Sequence, residues 1–194
     1  MTRAKGVRRF LLAGLALLVT AAMPASAAPY PPPPEPALAQ ELLDARWPAD
    51  IVAVGERYVA AYPQGPYAAT ARTELERARN TRRLLDRSDI RLYRGDFLAR
   101  GASPTLYDDV RKAALADKEA AARMARLYRE GESANPGRYV GWLQYAAALG
   151  NAPASYELAL HYRKSDQPAL AAPYEARAEE LGFQPPPTLD NVRK

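Results

Sequence analysis

The sequence predicts an all-α fold, and three observations carry that prediction. Downstream of residue 27 the chain holds 33 Ala but only 8 Val plus Ile, whereas sheets draw on β-branched residues and alanine is the best helix former. Prolines and glycines recur where helices would start and stop. A stretch of small, large and aromatic residues also returns at a fixed period, as paired helices in a repeat array do. With so few large aliphatics, the expected packing is close, with Ala at helix contacts and Tyr and Leu as the bulky knobs. Tyrosine, with 12 copies, is the main aromatic.

Residues 1–27 read as a secretory leader. Arg3, Lys5, Arg8 and Arg9 precede an apolar run from Phe10 to Ala22, and Ala25-Ser26-Ala27 offers small residues for cleavage after Ala27. The run is too short to span a bilayer, which takes roughly 20 residues. Without the leader's cations, 23 Lys and Arg face 22 Asp and Glu, so the sequence argues against a general nucleic-acid binder. The chain has no cysteine, which removes disulfides, thiolate metal sites and cysteine nucleophiles. The expectation is a bacterial periplasmic or secreted protein, monomeric and without a transmembrane segment once processed.

Residues 28–37 contain P-Y-P-P-P-P-E-P, an extended polyproline II stretch that reads as a spacer or as a docking peptide for an aromatic groove. Helices are expected near 37–46, 49–61, 66–87, 90–99, 104–115, 117–130, 136–149, 152–164 and 167–181. Ser103-Pro104, Asn135-Pro136 and Asp166-Gln167-Pro168 set capping side chains beside a proline in a first turn. Gly150 and Gly182 close alanine-rich segments as C-terminal caps with positive φ. Pro173 should kink or restart the last helix. Residues 184–194 form a tail.

Ala120-x3-Met124-Ala125-x2-Tyr128 returns 34 residues later as Ala154-x3-Leu158-Ala159-x2-Tyr162. Trp142, Ala146 and Gly150 recur after 32 residues as Tyr174, Ala178 and Gly182. The pattern resembles the Sel1-like repeat, a relative of the tetratricopeptide repeat. The likeness is carried by Ala120 to Gly131 and by Trp142, Ala146-Ala147 and Gly150-Asn151-x2-Ala154. Lys112 to Asp117 resembles the end of a preceding half-unit, with Asp117 where a glycine would stand. Tyr62-Pro63-Gln64-Gly65-Pro66-Tyr67 resembles the turn between paired helices in tetratricopeptide-like proteins of bacterial envelopes. The resemblance implies a short right-handed α-solenoid of antiparallel helix pairs, with divergent helices over 38–102 and Sel1-like repeats over 103–183.

The catalytic inventory is small. His161 is the only histidine, so neither a Ser-His-Asp triad nor a two-histidine metal motif can be assembled, and no phosphate-loop motif is present. Asp108-Asp109 near a helix start suits the helix dipole. Arg94-Gly95-Asp96 reads as a chance match to an adhesion tripeptide. The arginines between Pro66 and Arg87 alternate with Glu74, Glu76 and Asp86 as on a mixed solvated face. The favoured expectation is a non-enzymatic adaptor or scaffold without cofactor or metal, holding a protein or peptide partner in the cell envelope. Solenoid geometry nominates Arg123, Arg126 and Leu127 in one unit and Glu157, Leu160 and His161 in the next as partner contacts. Two rivals are a carbohydrate- or peptidoglycan-associated accessory or carboxylate hydrolase with a tyrosine platform, and a structural oligomer with an exposed Ala/Leu patch on its last helix. Burial of Tyr128, Trp142, Tyr156, Tyr162 and Tyr174 would remove the platform.

Overall fold

The computed structural model describes residues 32–97, 104–130 and 133–185. The expected leader, its cleavage site and most of the tail lie outside the described residues. Among the described residues every regular element is helical: α1 (Glu35–Asp44), α2 (Pro48–Ala61), α3 (Ala68–Leu85), α4 (Arg94–Phe97), α5 (Pro104–Ala114), α6 (Lys118–Arg129), α7 (Pro136–Ala148), α8 (Ala152–Lys164) and α9 (Pro168–Glu180). The expected all-α class is therefore correct. No described helix is long and apolar enough to cross a membrane. Neighbouring helices pack in pairs, most closely α2 with α3, α6 with α7 and α8 with α9, while α5–α6 and α7–α8 contacts join the pairs.

Four helix ends share one device. After α5, α7, α8 and α9 the chain turns through a residue of positive φ: Ala116 (64°), Gly150 (85°), Asp166 (56°) and Gly182 (79°). At each, the following N–H donates five residues back, as from Asn151 to the Ala146 carbonyl (2.9 Å), which closes the last turn as a Schellman cap. At three of these turns the next residue is the N-cap of a new helix, and at two of them its side chain caps that helix. Asp117 Oδ1 accepts from the Ala120 N–H (2.8 Å), and Asn151 Oδ1 accepts from the Ala154 N–H (2.8 Å). The half-unit is thus one residue out of its expected register. Ala116, not Asp117, holds the glycine position, and Asp117 is the counterpart of Asn151.

Two further expectations are corrected. The helix expected over 90–99 is only the short turn α4 within the described residues, preceded by extended chain. Ile90 and Leu92 are buried while Arg91 and Tyr93 face solvent, the period-two pattern of a strand-like segment. This strap lies on α7 because Gly141 has no side chain: a Cβ there would stand 2.4 Å from the Arg91 carbonyl oxygen. Helix α9 runs unbroken through Pro173. Pro173 and Ala169, whose carbonyl loses its intrahelical partner, both lie on the exposed side, where water can satisfy that carbonyl.

The centre of the core is aromatic. Phe97, carried by α4, meets Trp47 (ring centroids 5.2 Å), Trp142 (4.9 Å) and Tyr145 (6.4 Å). The Tyr145 hydroxyl donates to the Ala113 carbonyl at 2.7 Å. Its one hydrogen is then committed, so the Thr81 hydroxyl 3.0 Å away must donate to it. That pair joins α3, α5 and α7. Arg111 joins α1, α3 and α5 in a similar way, pairing with Glu74 (3.0 Å) and donating to the Leu43 carbonyl (2.8 Å).

Candidate functional site

Two adjoining recesses open where the strap, α7, α8 and α9 converge, and they share Asp89, Gln144, Leu170 and Tyr174. Together they form one groove that extends from His161 to Arg177. Its floor hangs on Gln144, which is buried. Gln144 Oε1 accepts from the Arg91 N–H and its Nε2 donates to the Tyr162 hydroxyl, each at 3.0 Å. One side chain thereby ties the strap to α8.

The wall is a row of rings. Tyr139 meets His161 edge-on (6.1 Å), His161 meets Tyr162 (5.7 Å), and Tyr162 stacks on Tyr174 (5.8 Å, 23° between planes). Burial, with lesser contributions from Tyr162 and Asp89, raises the pKa of Tyr174 above its ordinary value, so it remains a neutral donor. Asp89 has both carboxylate oxygens on Arg87, at 2.9 and 2.6 Å, and that hydrogen bonding holds its pKa low. Leu170 is 49% exposed above the groove. Arg91 lines it, exposed, and its guanidinium has no ion pair or hydrogen bond among the described residues.

The nominated residues divide by unit. Glu157, Leu160 and His161 come together in a second recess with Arg129, Glu130, Tyr139 and Lys164. Glu157 accepts from Arg129 (3.1 Å) and from the Tyr139 hydroxyl (3.0 Å). His161 borders both recesses. Arg123, Arg126 and Leu127 do not line either of them. Arg123 grips Asp109 with Nη2–Oδ1 at 2.6 Å, Leu127 packs against the core, and Arg126 is exposed without an ion pair among the described residues. Sequence reasoning missed Tyr139, Gln144, Leu170 and the strap residues as one site. The signal within reach was Leu170 and Tyr174, four apart on one face of α9.

The other candidates resolve into structure. Asp108 pairs with Lys112 (2.6 Å) and Asp109 with Arg123, so the acidic pair serves ion pairing beyond the helix start. In the adhesion-like tripeptide, Arg94 pairs with Asp50 (2.8 Å), while Asp96 accepts from the Tyr93 N–H (2.8 Å) and from Arg138 (2.9 Å). Tyr128, Trp142 and Tyr156 are buried. Tyr162 and Tyr174 are half-buried in the groove. Ala169, Ala172, Pro173 and Ala176 leave the outer side of α9 small and apolar. No group of three His, Asp or Glu able to hold a metal occurs among the described residues. Compared with family models, with curated proteins and with solved structures, the chain matches none.

Proposed function

We propose that the chain is an exported periplasmic adaptor or scaffold, non-enzymatic and without a cofactor. On this reading its helix pairs form a short right-handed α-solenoid akin to Sel1-like and tetratricopeptide repeats and hold a protein partner of the cell envelope. The supporting observation is the groove itself: an open, ring-walled channel with an exposed leucine, built at the junction of the two best-matched repeat units. Exposed apolar surface rimmed by polar groups marks interaction sites. A carbohydrate-associated role is the second reading, favoured by Tyr162 and Tyr174 beside a carboxylate.

The test places a photo-crosslinking benzoylphenylalanine at Leu170 and, as control, at exposed Arg82 of α3, in cells that produce the whole chain. A discrete heavier adduct from position 170 alone, in the periplasmic fraction, is the expected result. A folded chain without an adduct at 170 overturns the adaptor reading, and retention of full-length chain in the cytoplasm overturns export.

A further inference from the structure

We propose that the groove takes an extended, proline-rich segment of a partner polypeptide, with an acidic residue beside the prolines. This rests on the adaptor reading and names the chemistry of the partner. The first argument is the polar inventory of the groove. The Tyr162 hydroxyl accepts from Gln144 and keeps its own hydrogen unused, and the Tyr174 hydroxyl has no hydrogen-bond partner among the described residues. Arg91 adds an uncommitted guanidinium. The one carboxylate, Asp89, is spoken for by Arg87. The groove therefore offers tyrosine and guanidinium donors beside the acceptor oxygens of Ser88 and Gln167. A proline-rich strand suits those donors, because each proline brings a carbonyl acceptor and no N–H that needs a partner.

The second argument is shape. Polyproline II is preformed and is read by grooves between aromatic rings. Tyr162 and Tyr174 stack on one another and Tyr162 also abuts His161, so a free ring face of the kind a sugar stacks on is restricted, whereas ridges and clefts between rings remain. Leu170, on the same face of α9 as Tyr174, adds an apolar contact for a pyrrolidine ring.

The third argument is an example within the chain. The Tyr62 hydroxyl donates to the Pro33 carbonyl at 2.6 Å, so this protein already holds part of its own proline stretch by a tyrosine O–H. The preference for an acidic neighbour follows from Arg91, which has no ion pair among the described residues, with Asp89 already neutralised by its pairing with Arg87 and Arg177 of the other recess paired with Glu180.

The experiment titrates the folded chain with decaproline, with a proline decamer carrying one glutamate, with a Gly-Ser decamer, and with chitohexaose, by calorimetry and by backbone amide NMR. Expected are saturable binding of decaproline tighter than about 1 mM, tighter binding of the glutamate-bearing peptide, and shifts centred on Tyr162, Leu170 and Tyr174. Leu170→Asp, at an exposed position, should weaken decaproline at least tenfold with an unchanged melting temperature. Tyr174→Phe should weaken it several-fold through loss of the hydroxyl alone, and Arg91→Glu should cancel the preference for the acidic peptide. Absence of saturable binding, unaltered affinity in Leu170→Asp, or binding of chitohexaose at these residues without decaproline would each overturn the inference. If decaproline fails while the Leu170 crosslink persists, the adaptor reading stands and only the proline chemistry falls. If both fail, neither stands.

Discussion

Ala116 and Gly150 hold the same position in successive units, and exchanging their side chains tests that register directly. Ala116 sits at φ 64° and Gly150 at φ 85°, a region where a Cβ crowds the following carbonyl and costs roughly 1–2 kcal/mol. Ala116→Gly removes that crowding but admits more freedom to the unfolded chain, an opposing effect of about 0.4–1 kcal/mol. The net expectation is stabilisation by about 0.5–1 kcal/mol, or roughly 1–4 °C in Tm for a unit of this size. Gly150→Ala should do the reverse, losing about 1 kcal/mol. A Cβ at Gly150 meets nothing within 4 Å, so its effect is conformational and not steric. Urea unfolding followed by circular dichroism at matched m-values reads both differences. Ala116→Gly destabilising by more than about 0.5 kcal/mol would refute the argument that strain at this cap is relieved, and a neutral Gly150→Ala would refute the conformational requirement itself.

The remaining expectations concern the core and the strap. Trp142→Ala should cost about 3–5 kcal/mol, since the indole is fully buried among Phe97 and Tyr145 and its removal leaves a cavity; a loss below about 1 kcal/mol in denaturation would contradict the packing. Gly141→Ala should dislodge the strap, because the added methyl carbon cannot coexist with the Arg91 carbonyl at 2.4 Å, and faster amide exchange over 90–93 with α6 and α8 still protected is the expected signature. Tyr145→Phe should cost about 1–3 kcal/mol by orphaning the buried Thr81 hydroxyl and leaving the Ala113 carbonyl with only the Ala116 N–H, and in Thr81→Val the same change should cost less. Raising pH should weaken the fold. Burial raises Tyr145, and burial with Glu157 raises Tyr139, so their stabilisation is complete below about pH 10, the unfolded tyrosine value, and drains away as pH climbs from there toward the folded values. A flat stability from pH 9 to pH 11.5 would refute this.

The helices were legible in the sequence because their signals are local. Proline at a first turn, asparagine or aspartate one residue ahead of it, and glycine after an alanine-rich run each act within a few residues, and α5 to α9 begin and end close to where those marks stand. Register at the half-unit was misplaced because Ala116 occupies a left-handed position without being glycine, so the usual marker is missing. The strap was misread for a different reason. Ile90 and Leu92 alternate with exposed neighbours, but what makes that segment extended is the close approach at Gly141, some fifty residues on. Of the nominated contacts, Glu157, Leu160 and His161 line one recess together because they share one face of α8. Arg123 looked free on its own helix and proved to be bound to Asp109 on α5, a partner that helix-face arithmetic cannot supply.

The groove owes its form to the places where the repeats differ. Both units present an aromatic residue at the end of the first helix, Tyr128 in α6 and Tyr162 in α8, yet only Tyr128 is buried. Tyr128 is covered by Arg138, whose guanidinium lies 5.3 Å from its ring centre and which is itself anchored by Asp96 of α4. Tyr162 has no such cover. Its ring stacks on Tyr174, and Tyr174 stands where α7 has Trp142, which is sealed against Phe97. The same strap-and-turn segment that closes the first unit, through Phe97 and Asp96, only edges the second, through Arg87, Ser88, Asp89 and Arg91. An equal pair of hairpins would have buried both aromatic pairs or exposed both. Because the segment between α3 and α5 caps one unit and merely edges the next, two tyrosines remain half-open at the groove, and that asymmetry separates a buried ring from a half-exposed one at equivalent positions of the repeat.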